Sequence, residues 1–484
     1  MKIALHSRRA IALLGIGAMT LGVAACGSSS DSAATPAASS SAAPAASSSS
    51  SAAATSADSS SAAPAETSSS AAESAAPAGD AVNLTFSTWV PGMDKVVDLW
   101  NAKNPKIQVK VSITPNGGSG TYQNFLNGVK AGTAPDLGQI EYDSLANFRV
   151  QDALEDISAV PGVKEAKDSF IPWTWGQVDF AGSGGVYAIP QDAGPMAMFY
   201  RKDIFDGLGL KPPTTWAEYA EAAAKINAAD PTHYITHFSQ GDPNWYTGLL
   251  WQAGAKLFDN SGDGVKVNLD SDPKAAEVNS YWQDLISKKL VATNLQGFSP
   301  ELYKAWDDGS IATWISAAWG YSTIRDNAPA GAGKWAVAPM PQWTAGGNAA
   351  GNWGGSSTAV LKGSKHVAEA AQFAIWLNTD PEALTMGNKL GGLYPAAVAG
   401  AELPALKEGV AFYGDQKIFD VFNEASKGVD ASFQWGPTMT DTYNAIKDGV
   451  AATLGGTSTL ADAFKLAQEK TVASLEAQAI PVVK

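Results

Sequence analysis

One cysteine serves 484 residues, and it stands at position 26, so the chain cannot close a disulfide on itself. Whatever folds must be held by its core alone. Histidine is nearly as scarce, with four copies. Only His233 and His237 have the four-residue spacing of helical metal ligands. "HYITHF" around them favours a strand, where they would stand about 13 Å apart, too far to share one ion. Lys and Arg number 33 against 47 Asp and Glu, which leaves no basic stripe for nucleic acid. No G-x-S-x-G, H-E-x-x-H, P-loop or dinucleotide fingerprint occurs, and neither a cofactor nor a metal is expected.

A deeper shortage runs from Gly27 to Asp80. These 54 residues are mostly Ser, Ala and Pro, with no Val, Ile, Leu, Met or aromatic side chain and only five charges, all acidic. Such a segment cannot bury enough apolar surface to offset its ordering entropy, so it reads as a disordered tether of roughly 40 Å average reach. Before it, Lys2, Arg8 and Arg9 lead into the uncharged run "AIALLGIGAMTLGVAA". That run suits a secretory signal and falls short of the roughly 20 residues of a membrane-spanning helix. Val23-Ala24-Ala25-Cys26 resembles the bacterial lipobox, in which the cysteine becomes the first mature residue and carries the lipid. "SRRAIAL" resembles a twin-arginine export signal, and the general secretory route stays open beside it. The expected plan is therefore a lipoprotein signal peptide (1–25), a lipidated Cys26 with its tether (26–80), and an exported domain (81–484).

That domain holds 30 Lys and Arg against 42 Asp and Glu, a net charge of −12, and all 16 tryptophans. "VNLTFSTW" and "KIQVKVSI" alternate as strands, and "MDKVVDLWNAKNP" between them has helical spacing. "TYQNFLNGVKAGTAPDLGQI" reads as a helix ending near Gly132 and then a strand. This βαβαβ order predicts an α/β fold with a largely parallel sheet. Thr215 and Glu218 are spaced as a capping box. "DNSGDGVKVNLD" (259–270) has acidic residues at the spacing of a calcium loop, but it ends in Asp rather than Glu and "VKVNL" alternates like a strand. A β-hairpin turn is the better reading.

"GTAPDLGQIEYDSLANFRVQDALEDIS", "YAIPQDAGPMAMFYRKDIFDGLGLKPPTTWAEY", "GSIATWISAAWGYSTI", "GNWGGSSTAVLKGSKHVAEAAQFAIWLNTDPEA" and "FQWGPTMTDTYNAIKDGV" follow one another in that order. Together they resemble the extracellular solute-binding proteins of family 1, the maltose-binding-protein-like components of bacterial carbohydrate ABC importers. The resemblance spans 81–484 and implies a type II, Venus-flytrap fold of two α/β lobes joined by hinge strands. It places lobe one at about 81–192 and 355–398 and lobe two at about 193–354 and 399–484. The lipobox and tether resemble the Gram-positive, actinobacterial version of these proteins, and the expected protein is a monomer on the extracellular face of the cell membrane. There the protein would bind a di- or oligosaccharide and hand it to permease subunits, without enzymatic activity.

A pyranose offers an apolar C–H face and a rim of hydroxyls, so its site needs flat aromatic surface and fixed polar partners. Aromatics and carboxylates at loop positions supply candidates: Trp89, Glu141, Asp143, Asp192, Trp245, Trp319, Trp353, Tyr394 and Trp435. The resemblance adds weight to Trp319, Trp353 and Trp435 as stacking residues and to Asp143 as a hydroxyl acceptor. Trp100, Trp282 and Trp376 fall within helical apolar patterns and are expected in the core. Two other readings stay open on the residues alone. One is a tethered glycosidase, which needs two facing carboxylates; the other is a binding protein of this fold for a non-sugar ligand such as a polyamine.

Overall fold

β1 (Val82–Thr88) buries Leu84 and Phe86 and exposes Asn83 and Thr85, the period-two pattern of a strand with one packed face. The computed structural model describes residues 81–180, 182 and 184–483; the leader, Cys26 and the tether lie outside them. The described residues form one compact unit. After β1 the helix Met93–Lys103 packs Val96, Val97 and Trp100 back on the sheet, where Trp100 meets Phe373 edge-on at 5.5 Å. β2 (Ile107–Ile113) and β3 (Leu137–Glu141) flank β1 in parallel register, Val82 opposite Ile107 and Phe86 opposite Leu137.

The chain then lays down β4 (Ala188–Pro190) and moves to a second sheet with β5 (Met196–Arg201). A short hairpin of β6 (Phe258–Asp259) and β7 (Val265–Val267) follows, at the loop with calcium-like spacing. There the Asp259 carboxylate accepts from the Ser261 amide and hydroxyl, which closes the turn. β8 (Thr313–Ala317) and β9 (Trp335–Ala338) pair antiparallel with β5 on its two sides. β10 (Ser356–Val360) returns to the first sheet, antiparallel between β3 and β4. β11 (Val482–Val483) adds to β7. The first sheet has the order β2-β1-β3-β10-β4 and the second β8-β5-β9. The expected largely parallel sheet holds in direction for β1, β2, β3 and β4, with β10 inserted antiparallel between β3 and β4. β10 enters from the other sheet and runs the opposite way, and no crossover helix precedes it.

Three segments cross between the sheets and hydrogen-bond to one another. Residues 191–195 lie in the middle, with bridges from Asp192 to Pro395 and from Pro195 to Asn352. Trp353 N donates to Gly194 O, Ala193 N to Tyr394 O and Gly194 N to the Asn352 side chain, each at 2.8–2.9 Å. Gly194 is required here, because a Cβ at that position would fall 2.0 Å from the Trp353 carbonyl oxygen. The capping box at Thr215 and Glu218 forms as its spacing predicts, on the helix Trp216–Ala229. No helix among the described residues is long and apolar enough to cross a membrane.

Candidate functional site

β1 and β3 end, and β10 begins, on one edge of the first sheet, with Ser356 directly opposite Glu141. The carboxyl ends of strands in open α/β sheets leave backbone and side chains free to face a crevice. Trp89 follows β1, Glu141 ends β3 and Asp192 follows β4, so topology alone gathers them. From the second sheet, Trp319 follows β8 beside the crossing segments. Between the sheets lies a cavity of about 410 Å³, lined by Trp89, Glu141, Asp192, Trp319 and Trp353, five of the nine expected residues.

A chain of hydrogen bonds fixes the wall built on the first sheet. The Thr88 hydroxyl donates to Gln139 Oε1 at 2.6 Å, and Gln139 Nε2 to the Ser356 hydroxyl at 2.8 Å. Ser356 in turn donates its amide and hydroxyl to Asp192 Oδ1. Tyr122 holds Glu141 twice, donating to Oε2 at 3.1 Å and accepting from the amide at 2.8 Å. Trp89 lies edge-on to Tyr122, 6.0 Å between centroids. On the opposite wall the Trp319 and Trp353 rings meet at 4.8 Å, and Trp319 Nε1 donates to the Trp353 carbonyl. Trp314 lies beneath both, fully buried.

The remaining candidates are placed elsewhere. Trp245 is in the core, its Nε1 donating to Ile315 O at 2.8 Å and its ring among Phe238, Tyr246 and Trp282. Tyr394 is buried at the crossing, its hydroxyl on Asn423 and its ring stacked on Phe419. Trp435 is half-buried and edge-on to Trp251 and Phe433. Asp143 accepts from Ser144 and from the distant Tyr443 hydroxyl at 3.1 Å. None of these four lines the cavity. Asn116, Gln139, Asp242, Asn244, Phe298, Ser322 and Thr323 do, and none was singled out from the sequence. Asp242 alone carried a usable signal, since "GDPN" places it as the residue that begins a helix.

The electrostatics follow from enclosure. Burial pushes the Glu141 carboxyl up to about 8; the Asp143 charge adds to this and the Tyr122 hydroxyl opposes it. Burial raises Asp143 as well, against hydrogen bonds from Ser144 and Tyr443. It takes Asp192 to about 6 against the Ser356 donors, and Asp242 to about 6 against the Lys447 charge. Among the described residues no Lys or Arg lines the cavity. A carboxyl raised on folding stabilises the protein in its protonated form, and that contribution is lost as pH rises through the folded value. Above pH 6.5 Asp192 and Asp242 have largely ionised, and His237, held by burial near 4, is neutral. The ligand-free protein is therefore expected to melt progressively earlier between about pH 6.5 and 8.5, and Glu141→Gln to flatten that slope. Equal slopes in calorimetry of the two proteins would assign the effect to another group.

Residues 87–383 match the model of the bacterial extracellular solute-binding proteins. The chain belongs to this family. Sequence relatives of this solute-binding protein are binding proteins rather than enzymes. An arabinooligosaccharide-binding protein of Halalkalibacterium halodurans is 26% identical over 374 residues, covering 72% of this chain and 80% of that one. A lactose-binding protein of Rhizobium radiobacter is 26% identical over 368 residues, covering 72% and 82%. Among solved structures, the ABC-transporter-associated binding protein of B. animalis subsp. lactis in complex with β-1,6-galactobiose superposes with TM-score 0.72 at 30% identity, over 84% of this chain and 100% of that one. The galacto-N-biose-/lacto-N-biose I-binding protein of Bifidobacterium longum gives TM-score 0.74 at 28% identity over the same shares. The two-lobe, type II binding-protein fold follows from these likenesses and from the two sheets.

Proposed function

We propose that this protein captures a di- or oligosaccharide between its lobes and delivers it to the permease of an ABC importer. The observation that carries this reading is the cavity wall, which brings together Trp89 from the end of β1 in the first sheet, Trp319 from the end of β8 in the second with Trp353 against it, and the carboxyl groups of Glu141 and Asp192. Indole faces match the apolar face of a pyranose, and the fixed carboxyl oxygens of Glu141 and Asp192 accept from its hydroxyls. The carbohydrate ligands named for the relatives support the same class. The lobes are 81–192 with 355–398 and 193–354 with 399–484, and closing them on the ligand completes the site. Cys26 carries the lipid and 26–80 is the tether, so the protein works as a monomer on the outer face of an actinobacterial cell membrane.

A thermal-shift screen over mono- and oligosaccharides tests this, because ligand at one hundred times its Kd adds about 2.7 kcal/mol of apparent stability. The all-acidic charge of the lining favours one second reading, a polyamine ligand, so spermidine and putrescine belong in the same screen. A shift with polyamines and none with sugars would replace the first reading by the second. Appearance of new reducing ends during incubation with oligosaccharides would instead point to a glycosidase.

A further inference from the structure

Three carboxyl groups gather at the edge of the first sheet, Glu141, Asp143 and Asp192, and hydrogen-bond donors serve them unequally. Asp192 Oδ1 accepts from both the amide and the hydroxyl of Ser356. Asp143 accepts from the Ser144 hydroxyl at 2.9 Å and from Tyr443 at 3.1 Å. Glu141 has one phenol, Tyr122, at 3.1 Å from Oε2, and its Oε1 has no donor among the described residues. Ser356, directly opposite Glu141 on β10, directs both its donors to Asp192. Glu141 also stands at the N-cap of the helix Tyr142–Val150, yet its side chain caps none of that helix's amides.

Charge acts in the same direction as this shortage of donors. Glu141, Asp192 and Asp242 line the cavity without a Lys or Arg among the lining residues, and Lys447 acts on Asp242. Burial, the Asp143 charge and, more weakly, the Asp192 charge hold a proton on Glu141, against the hydrogen bond from Tyr122. A neutral sugar brings no counter-charge and expels the water that screens these groups, so filling the cavity favours the protonated form further. With its proton on Oε1, Glu141 becomes a donor beside carboxyl groups that only accept. The ring and glycosidic oxygens of a sugar carry no hydrogen, so a donor is the partner they need.

We propose that Glu141 holds the sugar as a protonated acid, donating from Oε1 to a ring or glycosidic oxygen, so that one proton is bound together with the ligand. This rests on the sugar-binding reading above. A ligand that favours protonated Glu141 binds fully below the ligand-free value of about 8 and loses affinity as pH rises through it. An ionised Glu141 that accepted from a sugar hydroxyl would give the reverse, an affinity that rises over the same range. The neighbouring groups hold their states between pH 7 and 9. Asp192 and Asp242, near 6, are largely ionised, and His237, near 4, is neutral. Burial raises the Tyr122, Tyr142 and Tyr443 phenols well above their usual range, so they keep their protons.

The test is calorimetric titration of wild type, Glu141→Gln and Asp143→Asn with lactose, β-1,6-galactobiose and arabinobiose at pH 7, 8 and 9, in buffers of different ionisation enthalpy. Wild type is expected to lose about tenfold in affinity between pH 7 and 9 and to take up about one proton per ligand at pH 9. Glu141→Gln, whose amide also donates and accepts, should bind several-fold more weakly than wild type at pH 7. Its affinity should then stay constant to pH 9, with no proton taken up. Asp143→Asn removes the neighbouring charge, so its affinity should begin to fall at lower pH than that of wild type. A wild-type affinity that stays flat or rises from pH 7 to 9 would overturn the protonated acid. So would a fall that persists in Glu141→Gln, and one that disappears in Asp143→Asn would place the proton on Asp143. A wild type that binds none of these sugars at pH 7 would overturn the sugar reading itself.

Discussion

Trp319→Ala is expected to weaken sugar binding about one hundredfold. The indole follows the end of β8, half-buried, lining the cavity and T-shaped to Trp353. Loss of stacking costs about 0.5–1.5 kcal/mol beyond area burial. Roughly 80 Å² of covered indole face at about 25 cal/mol/Å² adds about 2 kcal/mol. Together these correspond to a factor of roughly 70 to 400 in Kd. Trp319→Phe keeps a ring but loses the donor to the Trp353 carbonyl, so it should fall between the two. Titration calorimetry with whichever sugar the screen identifies reads the effect directly. Affinity within a factor of about two of wild type in Trp319→Ala would remove the residue from the site, because such a difference is only about 0.4 kcal/mol.

The sequence exposes those parts of the site that sit at strand ends. Trp89, Glu141 and Asp192 each follow or finish an alternating run, and Trp319 closes "ATWISAAW". A strand's period ends abruptly, so the residue that breaks it can be recognised as facing the crevice above the sheet. Helices offer no such mark. In Pro243–Gln252 every residue except Asn244 is buried. Successive residues point about 100° apart, so Asn244 faces the cavity while Trp245, one position on, faces the core. An aromatic beside Pro or Gly looks the same in sequence whichever way it turns. The same ambiguity covers Tyr394 and Trp435, both of which pack on other aromatic rings.

Long-range partners were equally hidden. Gln139 and Ser356 are 217 positions apart and read as polar intrusions in buried strands, yet they link Thr88 to Asp192 along the wall of the cavity. Asp143 and Tyr443, 300 positions apart, are joined by a hydrogen bond. The reversal of β10 has the same origin. A strand that arrives from the second sheet inherits its direction from the crossing, and no local pattern records that.

Trp245→Ala should have the opposite signature to Trp319→Ala: a large loss of stability with little change in affinity. Trp245 is 4% exposed and packed among Phe238, Tyr246 and Trp282, and its N–H satisfies the Ile315 carbonyl of β8. Removing a buried tryptophan typically costs about 3–5 kcal/mol, the upper end where the surroundings cannot collapse. Collapse is hindered here, because Trp282 is itself pinned between Trp216 and Phe238. The Ile315 carbonyl also loses its indole donor at a buried position, which adds about 1–3 kcal/mol if no water reaches it. The ligand-free variant should therefore unfold at markedly lower denaturant, while the fraction that remains folded binds sugar with near wild-type affinity. Chemical denaturation of the ligand-free protein and titration of the folded fraction separate the two roles. Ligand-free stability within about 1 kcal/mol of wild type together with lost binding would show that the ring acts at the ligand, contrary to its place in the core.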